Sequence, residues 1–142
     1  ETIALIWPHH GDTEPLPGLA ALVELLNVTP KTGVPRLIAG LLEVPELTVH
    51  GITDPARVDE RVPTVSFTVE GISPDTLAIE LAAENIFVWS GHNYAWEIVH
   101  QLGIPAEEGV LRIGAAHYNT VSEIDETVEA VQRLVGMLRQ RR

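Results

Sequence analysis

Residues 88–120, VWSGHNYAWEIVHQLGIPAEEGVLRIGAAHYNT, hold most of what the chain reveals about its fold. The segment IFVWSG is rich in β-formers and reads as a strand. YAWEIVHQLG reads as a helix closed by Gly103, the residue type that most easily takes the left-handed backbone at a helix end. VLRIGAAHYN reads as a second strand and carries one charged residue, Arg112, among apolar neighbours.

The pattern continues on both sides of this stretch. Beyond it, SEIDETVEAVQRLVGMLRQRR sets Ile124, Val128, Val131, Leu134, Val135 and Leu138 at helical spacing, with Ser122 as the expected cap and Asn119 as a further capping candidate. Before it, SPDTLAIELAAEN has Ser73 as N-cap, Pro74 at the first helical position and Asn85 as the stop. TVSFTVEG alternates, with Val65, Phe67 and Val69 on one face and Ser66, Thr68 and Glu70 on the other, the pattern of a half-exposed strand. LTVHG reads as another strand, DPARVDERVP as a charged connection, and PRLIAGLLEV as a helix that stops at Pro45.

From residue 47 onward the expected order is β, β, α, β, α, β, α. Helices with one apolar stripe each must cover a sheet, so the expected class is α+β, an α/β two-layer sandwich. Its sheet is expected to be mixed and largely antiparallel, with about four strands. Residues 34–142 form the expected domain. Residues 1–33 read as an irregular N-terminal segment with a short helix at GLAALVELLN, after a PHHGDTEPLPG stretch whose prolines and glycines oppose regular structure.

Composition narrows the function classes. A chain of 142 residues suits one core, and its formal charge of −11 repels phosphate backbones and acidic membrane surfaces. No run approaches the roughly 20 apolar residues that cross a bilayer. With no cysteine the chain has no disulfide and no thiolate ligand, which fits a reducing compartment, and the cytoplasm is the expected location. Arg139, Arg141 and Arg142 suit a helix C-terminus better than a docking site. His9, His10 and Asp12 read as a solvated loop in preference to a metal site, and neither a nucleophile elbow nor a phosphate-binding glycine loop is present.

Three segments, TVSFTVEGISPDTLAIELAAENIFVWSGHNYA, VLRIGAAHYNT and SEIDETVEAVQRL, occur in the order found in one family. From about Val34 onward the chain resembles the small C-terminal domain of class V aminotransferases, the cysteine-desulfurase-like branch of fold-type I pyridoxal-phosphate enzymes. The resemblance implies that Arg112 receives the α-carboxylate of a small amino-acid substrate. It also implies that the loop of Gly91, His92, Asn93 and Tyr94 faces the active site. Tyr94 stands where desulfurases carry their cysteine, and a phenol cannot accept and pass on sulfane sulfur.

The resemblance places the Schiff-base lysine, the phosphate cup and the ring-stacking group in a large domain. Lys31, the one lysine of the chain, lies in TPKTG without the family's surrounding motif. The chain, which opens at Glu1 without methionine, is therefore expected to be part of a larger enzyme. It would contribute substrate-binding residues to a site completed by a pyridoxal-phosphate domain, bind no cofactor alone and be inactive alone. Its expected partners are that domain or a homodimer mate, not nucleic acid or membrane. The rival reading is a structural or dimerisation module that has kept the fold and lost the chemistry. A third is a self-sufficient enzyme using Lys31 or a metal at His9 and His10.

Overall fold

The computed structural model describes residues 33–116 and 119–141. The expected GLAALVELLN helix, the His9–Asp12 loop, Lys31, His117, Tyr118 and Arg142 lie outside the described residues.

Helix α1 covers residues 33–42, and β1 follows at Leu47–His50. A six-residue 3-10 turn at Pro55–Glu60, opened by Asp54 accepting from the Ala56 amide at 2.9 Å, fills the charged connection. Then come β2 (Thr64–Val69), α2 (Pro74–Ala83), β3 (Trp89–Gly91), α3 (Trp96–Gln101), β4 (Val110–Gly114) and α4 (Val121–Gln140). The strands form one sheet in the order β1-β2-β4-β3. The fold is α+β, as the sequence pattern predicts. All three strand pairs are antiparallel, and the one parallel element among the described residues is an isolated bridge between Gly91 and Gly109, in keeping with a largely antiparallel sheet of four strands.

Alternation in β2 decides which face is covered. Val65, Phe67 and Val69 are buried, and Val65 and Phe67 pair with Ile113 and Leu111 of β4. Against this face pack Leu37 and Leu41 of α1, Leu77 and Leu81 of α2, and Ile124, Val131, Leu134 and Val135 of α4, all within one core. Burying each such side chain contributes on the order of 1.5–3 kcal/mol. The approach of α1 to α4 depends on Gly40, where a Cβ would run into the Val128 methyl groups. Nearby, Arg36 pairs with Asp125, and Gln132 donates to the Gly40 carbonyl at 3.2 Å.

Several boundaries differ from the sequence reading. The last helix is capped by Thr120, not Ser122 or Asn119. The Thr120 hydroxyl accepts from the Glu123 amide at 3.2 Å, and the Glu123 carboxylate accepts from the Thr120 amide at 2.6 Å, a reciprocal capping box. Ser122 instead donates to Glu126 at 3.1 Å inside the helix, while Asn119 accepts from the Ala116 amide at 2.8 Å in the preceding turn. Ser73 does precede α2, without a side-chain capping bond. Asn85 stops α2 as expected, with a left-handed φ of 63°. Strands β3 and β4 are shorter than IFVWSG and VLRIGAAHYN; β4 ends at Gly114, opposite Thr64, the first residue of β2.

Among the described residues no helix is long and apolar enough to cross a membrane. Nor does any group of three or more histidine or acidic side chains come together as a metal site there.

Candidate functional site

The second face of the sheet differs in kind from the first. Successive strand residues point to opposite faces, so directly opposed residues of neighbouring strands share a face. His50 opposes Ser66, Ser66 opposes Arg112, and Arg112 opposes Trp89. The four make one row across all four strands, roughly 14 Å from end to end at the usual strand spacing. None of them belongs to the buried core.

Arg112 is half-buried and makes no side-chain hydrogen bond or ion pair among the described residues. The other six described arginines are all engaged. Arg36 pairs with Asp125, Arg57 with Glu60, Arg133 with Glu84, Arg139 with Glu46 and Arg141 with Glu80. Arg61 donates to the backbone carbonyls of Ile52 and Thr64 at 2.5 and 2.8 Å. Burial pushes the pKa of the Arg61 guanidinium down, whereas hydrogen bonds to Asp125, Glu60 and Glu84 push those of Arg36, Arg57 and Arg133 up. Although the chain has 20 acidic residues, none of the described ones stands in a strand, and Arg112 is the one described strand residue with a permanent charge. The face is thus an anion-receptive strip in an acidic molecule.

His50, at the far end of the row, lies 3.1 Å from the Thr68 hydroxyl through Nε2, and burial lowers its pKa. The row therefore runs from an imidazole through a hydroxyl and a guanidinium to an indole.

The loop of His92, Asn93 and Tyr94 leaves the end of β3 where Gly91 opposes Val110, two residues along β4 from Arg112. Asn93 and Tyr94 both have left-handed backbones, with φ of 49° and 62°. The turn is held by the Asn93 side-chain amide donating to the Gly91 carbonyl at 2.9 Å and by the Ala95 amide donating to the His92 carbonyl at 2.8 Å. As a result Tyr94 is fully exposed. Its root is fixed by two glycines: a Cβ at Gly109, whose φ is +65°, would collide with the Gly91 backbone.

His92 meets Trp96 edge to face, with centroids 5.6 Å apart, and its Nδ1 is buried without a hydrogen-bond partner. Trp96, three residues before Val99 along α3, is 56% exposed, because α3 is short and buries only Val99. No hydrogen bond joins Arg112 to His92, Asn93 or Tyr94; the fold brings them to one edge of the sheet without linking them. The sequence reading missed Ser66 and His50 as companions of Arg112. The alternation of TVSFTV placed Ser66 on the polar face, but strand register alone aligned it with the arginine.

A cleft of about 470 Å³ lies elsewhere, between residues 84–88, the end of β4 and the first turns of α4. Its rim carries Glu84, Glu123 and Glu126, and none of Arg112, His92, Asn93 and Tyr94 lines it, so it is a poor receptor for a carboxylate.

The family model described as aminotransferase class-V matches residues 31–127. The chain belongs to the class V aminotransferase family. Over 102 residues it is 37% identical to an aminotransferase-like protein of Gibberella zeae, a match covering 70% of this chain and 25% of that protein. Over 119 residues it is 34% identical to a probable cysteine desulfurase of Mycolicibacterium paratuberculosis, covering 80% and 17% respectively. The apo structure of a cysteine desulfurase from Thermococcus onnurineus NA1 superposes with a TM-score of 0.70 at 27% identity, covering 80% of this chain and 26% of that one. The chain spans about a quarter or less of the length of these relatives. It is a fragment-length match to class V aminotransferase and cysteine-desulfurase-like enzymes.

The class V aminotransferase family implies pyridoxal phosphate for the full-length enzyme. The described residues do not fit that cofactor by themselves. They include no lysine, and their one unpaired guanidinium can grip a single anion, so it cannot serve both a cofactor phosphate and a substrate carboxylate.

Proposed function

We propose that this chain is the C-terminal substrate-binding domain of a pyridoxal-phosphate-dependent, cysteine-desulfurase-like enzyme of class V aminotransferase type. Arg112 receives the α-carboxylate of a small amino-acid substrate, and His92, Asn93 and Tyr94 form the loop that borders it. The observation that carries this reading is that Arg112 makes no side-chain hydrogen bond or ion pair among the described residues. A half-buried guanidinium on a face where no described strand residue is a carboxylate retains its donors for a ligand, and two parallel hydrogen bonds to a carboxylate fix orientation as well as position.

The cofactor and its lysine belong to another domain in this reading, and the chain alone is inactive. Exposed Phe87, Trp89, Tyr94, Trp96 and Ile98 support a covering partner at that edge, either the cofactor domain or a homodimer mate. The cytoplasm remains the proposed location. Because the chain has no cysteine, it supplies no sulfur acceptor, and Tyr94 at the exposed tip of the loop serves contact or positioning.

Titration of the purified chain with pyridoxal phosphate, followed by borohydride trapping and peptide mapping, tests where the cofactor is held. No specific lysine adduct is expected. A stoichiometric adduct at Lys31, lost in Lys31→Ala, would overturn the assignment and make the chain a compact cofactor enzyme. Amino-acid binding should in turn disappear in Arg112→Gln.

A further inference from the structure

Arg112 has unlike neighbours on its two sides. Toward β2 stands Ser66, with His50 behind it; toward β3 stands Trp89, directly opposed in the antiparallel register. Opposed residues of antiparallel strands have Cα atoms about 4.5–5.5 Å apart and side chains on one face. The indole of Trp89 and the guanidinium of Arg112 are therefore adjacent walls of the same strip.

Trp89 is also uncommitted. It is 74% exposed, and no ring contact engages it among the described residues. Tryptophan is usually well buried, so an open indole beside an open guanidinium leaves apolar area and charge available to one ligand. The other exposed aromatic side chains near this edge are Phe87, which precedes the start of β3, and Tyr94 and Trp96, which belong to the loop and α3. Trp89 alone among them is in register with the arginine.

We propose that Trp89 sets the ligand preference of the Arg112 site, selecting amino acids that carry an aromatic ring over those with a small side chain. The carboxylate lies on Arg112, and a ring two or three bonds away reaches one strand spacing across to stack on the indole. The polar flank of Ser66 and His50 offers an aromatic side chain no equivalent surface, so the ring has one direction to go. The proposal rests on the carboxylate role of Arg112 above and puts an aromatic amino acid in place of the small one in that reading.

The test is a titration of the chain with L-phenylalanine and with L-alanine, followed through the indole N–H signals by NMR, with Trp89→Phe used to assign the Trp89 resonance. Phenylalanine should bind roughly threefold to tenfold more tightly than alanine, the range that aromatic contact supplies. That ratio should fall to near one in Trp89→Ala and be largely retained in Trp89→Phe, while Arg112→Gln should abolish binding of both. Equal affinities in the unaltered chain, or a preference that survives Trp89→Ala, would overturn the role of Trp89 while leaving Arg112 in place. Affinities unchanged in Arg112→Gln would remove the carboxylate site itself.

Discussion

The two faces of one four-stranded sheet answer to different demands. On the covered face Val65, Phe67, Leu111 and Ile113 meet three helices and are almost wholly excluded from water. On the other face, one residue away along the same strands, Ser66 and Arg112 join no core, and Trp89 is largely exposed. The helices stabilise the first face, and the second is left to set chemistry without endangering the fold. This division explains how a charge and a bulky indole can sit in strands of so short a sheet.

The largest test of the division is Phe67→Ala against Ser66→Ala. The first leaves a cavity under the helices and should cost about 3–5 kcal/mol in urea denaturation. The second, on the neighbouring residue, should stay within about 0.5 kcal/mol. Comparable losses would mean that both faces are packed.

Gly109→Ala tests the junction between the faces. An added methyl group meets the Gly91 backbone, and the residue has a left-handed φ. A loss of about 1–3 kcal/mol is expected, together with displaced amide signals for His92 and Asn93. Unshifted loop signals would show that the glycine contact does not fix the loop.

A smaller effect is expected at the α4 cap. Thr120→Ala should cost about 1 kcal/mol by thermal melting. The Glu123 carboxyl is held below its ordinary 4.5, chiefly by its hydrogen bond from the Thr120 backbone. Its contribution is therefore complete above that pH and is lost as pH falls through the lower folded value. Glu123→Gln should remove this acid-side slope, and an unchanged slope would contradict the capping box.

His50 supplies the corresponding test on the open face. Burial lowers its pKa below 6.5, so the unfolded chain takes up the proton first. Stability should fall as pH drops through 6.5 and level off below the folded value, and His50→Gln should flatten that segment of the pH profile. Smallest of all is the stability change expected for Arg112→Gln, within about 0.5 kcal/mol because no internal bond is broken. A large loss there would mean that Arg112 has a structural partner.

Local pattern carried much of this architecture in advance. Alternation in TVSFTV separated the faces of β2 and marked Phe67 as core. The helical stripe of SEIDETVEAVQRL identified α4, and Asn85 marked the end of α2. Where the readings diverged, distance along the chain was the reason. Trp96 has the spacing of a core residue, but α3 is only six residues long and presents Val99, not the indole, to the interior. Thr120 displaced Ser122 as cap because the reciprocal bond with Glu123 requires a spacing of three that Ser122 lacks with that residue.

By itself the sequence determined the α+β class and the succession of elements, since periodicity and local chemistry are encoded over a few residues, while resemblance to a family singled out Arg112. Only the tertiary structure decided that His50, Ser66, Arg112 and Trp89 form one row and that Arg112 has no partner among the described residues while every other described arginine is engaged. Register between strands distant in sequence is set by how the helices pack on the far face, and no local pattern carries that information.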